Sequence, residues 1–205
     1  MKIGEPILIS SLPPIPWKNG GGITRNLAVE PDGAGFDEFL WRLSFAEVSS
    51  PGKFSTFPGV DRTILVWKGT GLHLHRSDGR GVSITRDAEA YSFRGEDEIE
   101  ATLIDGPTID FNVMVRRDRY KAHVSQYQSE TTISRSARQG FFICTRGYFR
   151  VHFAFGQEYI LRAEETLPVS HFEGGAIISP EAYEAAMIVV LIDASSPDDV
   201  DDQVD

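Results

Sequence analysis

Two arginines in this 205-residue chain stand in contexts that suit recognition of a carboxylate, and Arg62 has the richer one. It follows the turn residues Pro58 and Gly59 and opens the apolar run 63–67, with aromatic and hydroxyl side chains at 54–57 just before it. A planar guanidinium group donates two parallel hydrogen bonds, which is the geometry that a carboxylate accepts. The alternative is that Asp61 and Arg62 pair with other side chains and only hold a corner of the fold.

The second arginine, Arg42, lies in residues 39–48, where the residue types alternate as in a strand. One face would carry Phe39, Trp41, Leu43 and Phe45, and the other Leu40, Arg42, Ser44, Ala46 and Val48. If the second face is exposed, Arg42 is simply solvated. If it lines a barrel interior, Arg42 is a buried cation that needs an acidic partner or an anionic ligand.

A glycine-rich segment, residues 20–22, precedes another strand-like run at 23–29. Three consecutive glycines predict unusual backbone dihedrals or the close approach of another group. A phosphate-binding loop would need a helix behind it, so the strand pattern argues against a nucleotide site. Trp17, Lys18 and Asn19 come directly before the glycines and are interpreted as ligand-facing.

The composition limits the class of protein. The length suits one large domain or two small ones, and an aromatic share of 11% with 13 Phe is typical of a β-rich chain. A formal net charge of -10 argues against nucleic acid or an anionic membrane as a partner. Residues 196–205 hold five Asp and no basic residue, which predicts a disordered acidic tail.

The location expected from the sequence is cytoplasmic. No signal peptide opens the chain, and no apolar stretch reaches membrane-spanning length. The single cysteine, Cys144, lies in an apolar run, which excludes an intramolecular disulfide and favours an inert core thiol.

Short apolar segments bounded by Gly or Pro recur along the chain, which predicts an all-β sandwich or barrel. They are residues 63–67, 71–75, 81–86, 90–94, 99–104 and 109–117, and then 141–144, 147–155, 158–162, 175–178 and 186–192. The polar residues 118–140 are the predicted connection between two halves. Exposed strand edges at the barrels would allow a homodimer.

The motifs taken together resemble the HutD/Ves family in order and spacing. They are the sequences at 16–22, 41–44, 54–62, 69–72, 105–107 and 110–117. The resemblance spans residues 5–195 and is most specific in the N-terminal half. This chain has Asn26 where the family often has an acidic residue.

The resemblance implies an all-β bicupin, meaning two jelly-roll (double-stranded β-helix) barrels in one chain. Residues 1–117 would form an N-terminal cupin barrel that carries the family motifs, and residues 118–195 a C-terminal cupin-like barrel. It also implies a link to histidine utilisation, in which such proteins look like regulators or sensors of an intermediate such as formylglutamate or urocanate.

We expect no metal and no cofactor. A cupin metal site needs His-x-His on one strand, a carboxylate a few residues on and a further His from a later strand. His73 and His75 supply the first pair, but Arg76, Ser77 and Asp78 follow instead of a suitably spaced Glu. The family motif that the chain resembles also lacks such a site.

The candidate site is therefore a metal-free pocket for a small anionic metabolite, with no residue assigned a catalytic role. Its predicted ligand-binding residues are Trp17, Lys18, Asn19, Arg42, Ser44, Phe54, Ser55, Arg62, Asp105, Asp110 and Asn112. The favoured function is a non-enzymatic regulator that binds a small carboxylate. The alternatives are a metal-independent isomerase or hydrolase acting on a small acid, and a scaffold that binds another protein.

Overall fold

The computed structural model describes residues 1–17 and 20–196, and these residues fold almost entirely into β-strands. The all-β class predicted from the sequence is confirmed. The first ten strands are β1 (Lys2–Ile3), β2 (Ile7–Leu8), β3 (Pro14–Pro16), β4 (Gly22–Glu30), β5 (Trp41–Val48), β6 (Gly52–Lys53), β7 (Val60–Lys68), β8 (Gly71–Arg76), β9 (Gly81–Thr85) and β10 (Tyr91–Arg94). The next ten are β11 (Ile99–Leu103), β12 (Thr108–Arg116), β13 (Tyr120–Tyr127), β14 (Thr131–Ile133), β15 (Ala137–Arg146), β16 (Tyr148–His152), β17 (Glu158–Arg162), β18 (Glu165–Phe172), β19 (Ala176–Pro180) and β20 (Ala186–Ala194). A 3-10 turn at Ile9–Ser11 follows β2.

The strands divide into two compact units. The N-terminal barrel comprises Leu12–Lys121 together with Ser195, and the C-terminal barrel comprises Met1–Ser11 and Ala122–Ala194. Residues 1–11 belong to the first barrel in the division predicted from the sequence, whereas β1 and β2 pair with β18 of the C-terminal barrel. These two short strands differ from the expectation because their partner lies more than 150 residues further along the chain, beyond the reach of local patterns.

The N-terminal barrel consists of two sheets. The larger has the order β10-β7-β12-β5-β4-β3 and is called the arginine sheet below, because it carries Arg42 and Arg62. The smaller has the order β6-β11-β8-β9. Side chains from both sheets, such as Ile64 and Val66 from the larger and Leu72 and Leu74 from the smaller, form one buried core.

The C-terminal barrel repeats this plan with a different interior. Its sheets have the orders β1-β18-β15-β20-β13, with β2 also paired to β18, and β14-β19-β16-β17. Phe142, Phe153 and Phe172 contact one another edge to face in the core, with centroids 5.6–6.3 Å apart. The lone thiol of Cys144 is buried, and burial raises its pKa to about 12, so it is an inert core group.

The polar stretch 118–140, predicted as a connection, contains β13, β14 and the start of β15. The prediction missed them because β13 and β14 are terminal strands of their sheets and carry many half-buried or exposed polar residues. The predicted acidic tail, residues 196–205, lies outside the described residues except for Ser196. Within 1–17 and 20–196, no helix is long and apolar enough to cross a membrane.

The close approach predicted from the glycine-rich segment is confirmed at Gly22, which pairs with Val48 at the start of β4. A Cβ atom at this position would overlap the carbonyl oxygen of Glu47 and come within 3.1 Å of the Trp17 ring. The glycine therefore lets the chain pass between β5 and the indole at the edge of the candidate site.

We expect Gly22→Ala to lower the free energy of unfolding by about 1–3 kcal/mol, the usual cost of overpacking. Gly52→Ala is the matched control, since its added Cβ would meet no heavy atom within 4 Å. Urea unfolding of both variants checks this expectation. A Gly22→Ala protein as stable as the Gly52→Ala protein would show that β4 can shift without cost.

Candidate functional site

The two arginines share one row of the arginine sheet. Arg42 on β5 lies opposite Met114 on β12, and Met114 lies opposite Arg62 on β7. Two strand spacings separate the arginine backbones, which places them roughly 10 Å apart. Since side chains alternate across a strand, both guanidinium groups project from the same face of the sheet.

Polar residues fill the neighbouring rows of that face. Asn26 on β4, Ser44 on β5 and Asn112 on β12 lie level with one another. Asp110, two residues before Asn112, lies opposite Ala46 on one side and Val66 on the other. The face is therefore polar at one end and continuous with the apolar core at the other.

Arg42 is buried, with 4% of its surface exposed, and its partners among the described residues are uncharged. Its Nη2 donates to Oδ1 of Asn26 at 2.6 Å, and its guanidinium carbon lies 4.2 Å from the centroid of the Phe36 ring. Burial lowers the pKa of Arg42. An amide oxygen and an aromatic face orient the cation without neutralising it.

Arg62 is buried to a similar degree, with 7% of its surface exposed. Its Nη2 donates to Oδ1 of Asn112 at 2.9 Å, and its Nη1 donates to the backbone oxygen of Ser55 at 3.3 Å. Its Nε is buried and has no hydrogen-bond partner among the described residues. Burial lowers the pKa of Arg62 to about 10, against the opposing effect of Asp110, so the group stays cationic at neutral pH.

Aromatic rings surround the same guanidinium group. The guanidinium carbon of Arg62 lies 5.0 Å from the ring centroid of Phe54, 5.8 Å from that of Phe57 and 4.9 Å from that of Phe93. Phe57 also stacks on Phe36, with centroids 5.8 Å apart. The rings thus form a continuous wall between the two arginines, and cation–π attraction offsets part of the cost of burying their charges.

Asp110 is the acidic residue of this face, and only 1% of its surface is exposed. Its Oδ1 accepts a hydrogen bond from Nδ2 of Asn112, so that Asn112 bridges the carboxyl group and Arg62. Burial raises the pKa of Asp110 to about 7, although the positive charge of Arg62 acts in the opposite direction. At neutral pH the carboxyl group is therefore shared between its ionised and protonated forms.

A cavity of about 540 Å³ opens onto these residues, within the range of about 300–1,000 Å³ usual for small-molecule sites. In the part of the chain that the structure describes, its charged lining residues are Arg42, Arg62, Lys53 and Asp110. Neither arginine forms an ion pair with a described carboxylate. The cavity is thus electropositive in a chain whose formal net charge is -10.

The structure brings most of the sequence-predicted residues together. Those lining the cavity are Trp17, Arg42, Ser44, Phe54, Ser55, Arg62, Asp110 and Asn112. Asp105 does not line it, because the residue is exposed in the turn between β11 and β12. Lys18 and Asn19 lie outside the described residues.

The adjacent residues 61 and 62 contact different parts of the fold. Asp61 accepts from Nε of Arg117 at 2.6 Å, so this acid holds a corner of the fold, as the alternative proposed. Arg62 points to the opposite face of β7, into the cavity. Strand alternation separates the roles of these adjacent residues.

Sequence reasoning missed several contributors to the site. Asn26 was noted only for its lack of charge, yet its amide oxygen holds Arg42. Phe36 lies in the loop before β5, where no periodicity marked it, and Lys53 lies on the two-residue strand β6. Hydrophobic periodicity cannot identify such residues, because a loop has no period and a two-residue strand is too short to show one.

The pair His73 and His75 lies away from the cavity, exposed on β8. Nδ1 of His73 is 2.7 Å from the hydroxyl of Ser83, and Nε2 of His75 is 3.2 Å from that of Thr102. Among residues 1–17 and 20–196, no group of three or more His, Cys, Asp or Glu side chains could hold a metal ion.

The family model described as HutD matches residues 10–187. An uncharacterised 21.2 kDa protein in the hutC 3′ region of Pseudomonas putida is 37% identical over 125 residues, which cover 61% of this chain and 65% of that protein. The Ves protein of Citrobacter koseri is 36% identical over 117 residues, which cover 57% of this chain and 60% of that protein. Both alignments thus span less than two thirds of the relative's length.

Solved structures support the fold. HutD from Pseudomonas fluorescens SBW25 superposes with a TM-score of 0.81 at 24% identity, over 95% of this chain and 100% of that chain. A cupin 2 conserved barrel domain protein from Leptotrichia buccalis superposes with a TM-score of 0.58 at 9% identity, over 94% of this chain and 98% of that chain. The predicted cupin fold is confirmed.

The raised pKa of Asp110 makes stability depend on pH. The unfolded chain releases this proton near pH 3.8, whereas the folded protein keeps it up to about pH 7. Between these values the folded state binds more protons, so raising the pH lowers the free energy of unfolding by about 1.4 kcal/mol per unit. This loss is complete above the folded-state pKa.

The wild type should therefore lose about 3 kcal/mol of its free energy of unfolding between pH 4.5 and pH 8 through this group, whereas Asp110→Asn should not. The stability of the variant relative to the wild type should rise by the same amount. Urea unfolding at the two pH values measures this difference. Asp118→Asn, which removes an exposed acid, serves as control and should show no comparable change. A difference between Asp110→Asn and wild type that is the same at both pH values would contradict the assignment.

Proposed function

The chain belongs to the HutD family, which is associated with histidine utilisation, and from this premise we propose that it is a non-enzymatic regulator or sensor that binds a small carboxylate. The ligand would be an intermediate such as formylglutamate or urocanate, held by the two arginines in the cavity of the N-terminal barrel. The finding that carries the proposal is the presence of two buried guanidinium groups beside one cavity, neither in an ion pair with a described acid.

The lack of a described counter-ion supports this proposal, because burying a charge is costly. A buried cation without a counter-ion costs free energy, and amide oxygens and aromatic faces offset only part of that cost. Nε of Arg62 is buried, and residues 1–17 and 20–196 provide no hydrogen-bond partner for it. A carboxylate in the cavity would supply both the missing acceptor and the opposite charge.

The remaining walls suit a small planar acid. The Phe36 and Phe57 rings bridge the two arginines, and the Trp17 indole is fixed by a hydrogen bond from its Nε1 to the Thr24 hydroxyl at 2.8 Å. Rings and planar amides stack on such surfaces. A dicarboxylate that also carries a planar amide group, such as formylglutamate, would use both arginines and the wall between them.

The lining residues favour binding over catalysis. No His or Cys occurs among the described residues that line the cavity, so the Ser44 and Ser55 hydroxyls have no imidazole base to activate them. A regulator needs only that binding favour one state of the protein, so its site requires no nucleophile and no general base.

One observation favours a second candidate, a metal-independent isomerase or hydrolase acting on a small organic acid. Asp110 lines the cavity and its pKa of about 7 lies near the operating pH of a general base. In that case Asp110 would remove a proton from the bound acid, and the arginines would stabilise the resulting negative charge.

We expect thermal unfolding in the presence of formylglutamate, urocanate, glutamate or formate to show a raised Tm with at least one of these acids. A free ligand concentration of 100 times Kd corresponds to about 2.7 kcal/mol of stabilisation. Arg62→Ala should abolish the shift, because it removes a charged hydrogen-bonding partner. Arg80→Ala is the control, since Arg80 is exposed and pairs with Asp78. An undiminished shift in Arg62→Ala would exclude Arg62 as the residue that holds the carboxylate.

The same acids distinguish binding from catalysis. Proton NMR of a stabilising acid, incubated with the protein for hours, should show it unchanged if the protein is a sensor. Conversion of the acid by the wild type, abolished in Asp110→Asn, would instead establish the enzymatic alternative.

A second substitution tests Arg42. We expect Asn26→Asp to weaken carboxylate binding by tenfold or more, because a carboxylate at this position would form an ion pair with Arg42 and compete with the ligand. Asn26→Ser is the matched control, since a hydroxyl accepts a hydrogen bond without adding charge. Equal affinities for the Asp and Ser variants, measured by calorimetry, would show that the Arg42 charge is not used.

A further inference from the structure

We infer that Asp110 contacts the bound acid in its protonated form, so that the site takes up one proton together with each ligand molecule. This inference rests on the proposed function and concerns the same cavity. It makes Asp110 a specificity-determining residue whose hydroxyl donates a hydrogen bond to a ligand oxygen.

The position of Asp110 allows such a contact. Its side chain is almost fully buried, yet it lines the cavity. Its Oδ1 is occupied by the hydrogen bond from Nδ2 of Asn112, and no described residue donates to Oδ2. Asn112 is itself fixed by Arg62, so the carboxyl group is held with one oxygen committed to the protein and one available to a ligand.

The surroundings of Asp110 decide which protonation state suits a carboxylate ligand. The charged groups that face the cavity with it are Arg42 from β5, Arg62 from β7 and Lys53 from β6, and its neighbours across the strands are the apolar Ala46 and Val66. An ionised Asp110 would repel the ligand anion and cancel part of the attraction of the arginines. A protonated Asp110 removes that repulsion and adds a donor.

Protonation requires little free energy in this site. Burial already raises the pKa of Asp110 to about 7, and an approaching anion raises it further. By linkage, ligand affinity should be constant below that pH and fall above it, by up to tenfold per pH unit, because each bound ligand must then recruit a proton from solution. An amide at position 110 would mimic the protonated acid and remove this dependence.

Calorimetric titration of the full chain with N-formyl-L-glutamate tests the inference. At pH 8, titrations in HEPES and in Tris differ in buffer ionisation heat, and the difference gives the number of protons taken up per ligand. We expect a value near one for the wild type at pH 8 and near zero at pH 5.5. Asp110→Asn should give near zero at both pH values and an affinity that does not fall between pH 7 and pH 8. Asp118→Asn, which alters an exposed acid, should behave as the wild type.

The outcomes separate this inference from the function on which it rests. Binding by the wild type without proton uptake at pH 8, or uptake that persists in Asp110→Asn, would overturn the role of Asp110 and leave the carboxylate site intact. Absence of binding at both pH values, in the wild type and in Asp110→Asn alike, would overturn both. Because the proton count is made first on the wild type, a variant that fails to fold does not remove the test.

Discussion

The cost of placing positive charge inside a β-barrel governs the candidate site. Arg42 and Arg62 project from one face of the arginine sheet, and each has less than a tenth of its surface exposed. Ion pairs with protein acids would be the usual compensation, but the described residues provide amide oxygens and aromatic rings instead. Such groups orient a guanidinium cation while leaving its charge available. The electropositive cavity and its suitability for an anion both follow from that choice of partners.

The barrel provides the rigidity that these groups need. Ile64 and Val66 continue the inner face of β7 beyond Arg62 and join Leu72 and Leu74 in a closed apolar core. This core fixes the positions of the strands, and the strands in turn fix where the polar side chains at the other end of the sheet begin. The C-terminal barrel shows the contrasting case, in which Phe142, Phe153 and Phe172 fill the interior and Thr166 is its one buried polar residue among those described.

Asp110 links the charge balance of the site to pH. It lies two residues from Asn112 on the same strand face, so Asn112 contacts both the carboxyl group and Arg62. The carboxyl group and Arg62 are near enough for each to shift the pKa of the other, but the two form no direct ion pair in the structure. A neutral acid among cations leaves the cavity more positive than an ionised one would, which favours an anion in the proposed site.

The all-β class, most strand positions and the choice of Arg42 and Arg62 as candidate binding residues can be predicted from the residue pattern alone. Period-two alternation in residues 39–48 and the recurrent Gly and Pro turns depend on local interactions, which a single sequence records. Tertiary folding turns the Arg42 face inward, brings Asn26 and Phe36 into contact with this arginine, and buries Asp110 while Asp105 stays exposed. It also decided that β1 and β2 pair with β18. These outcomes depend on contacts between segments distant in the chain, and burial in turn sets the charge state of each acid, so local patterns could not predict them.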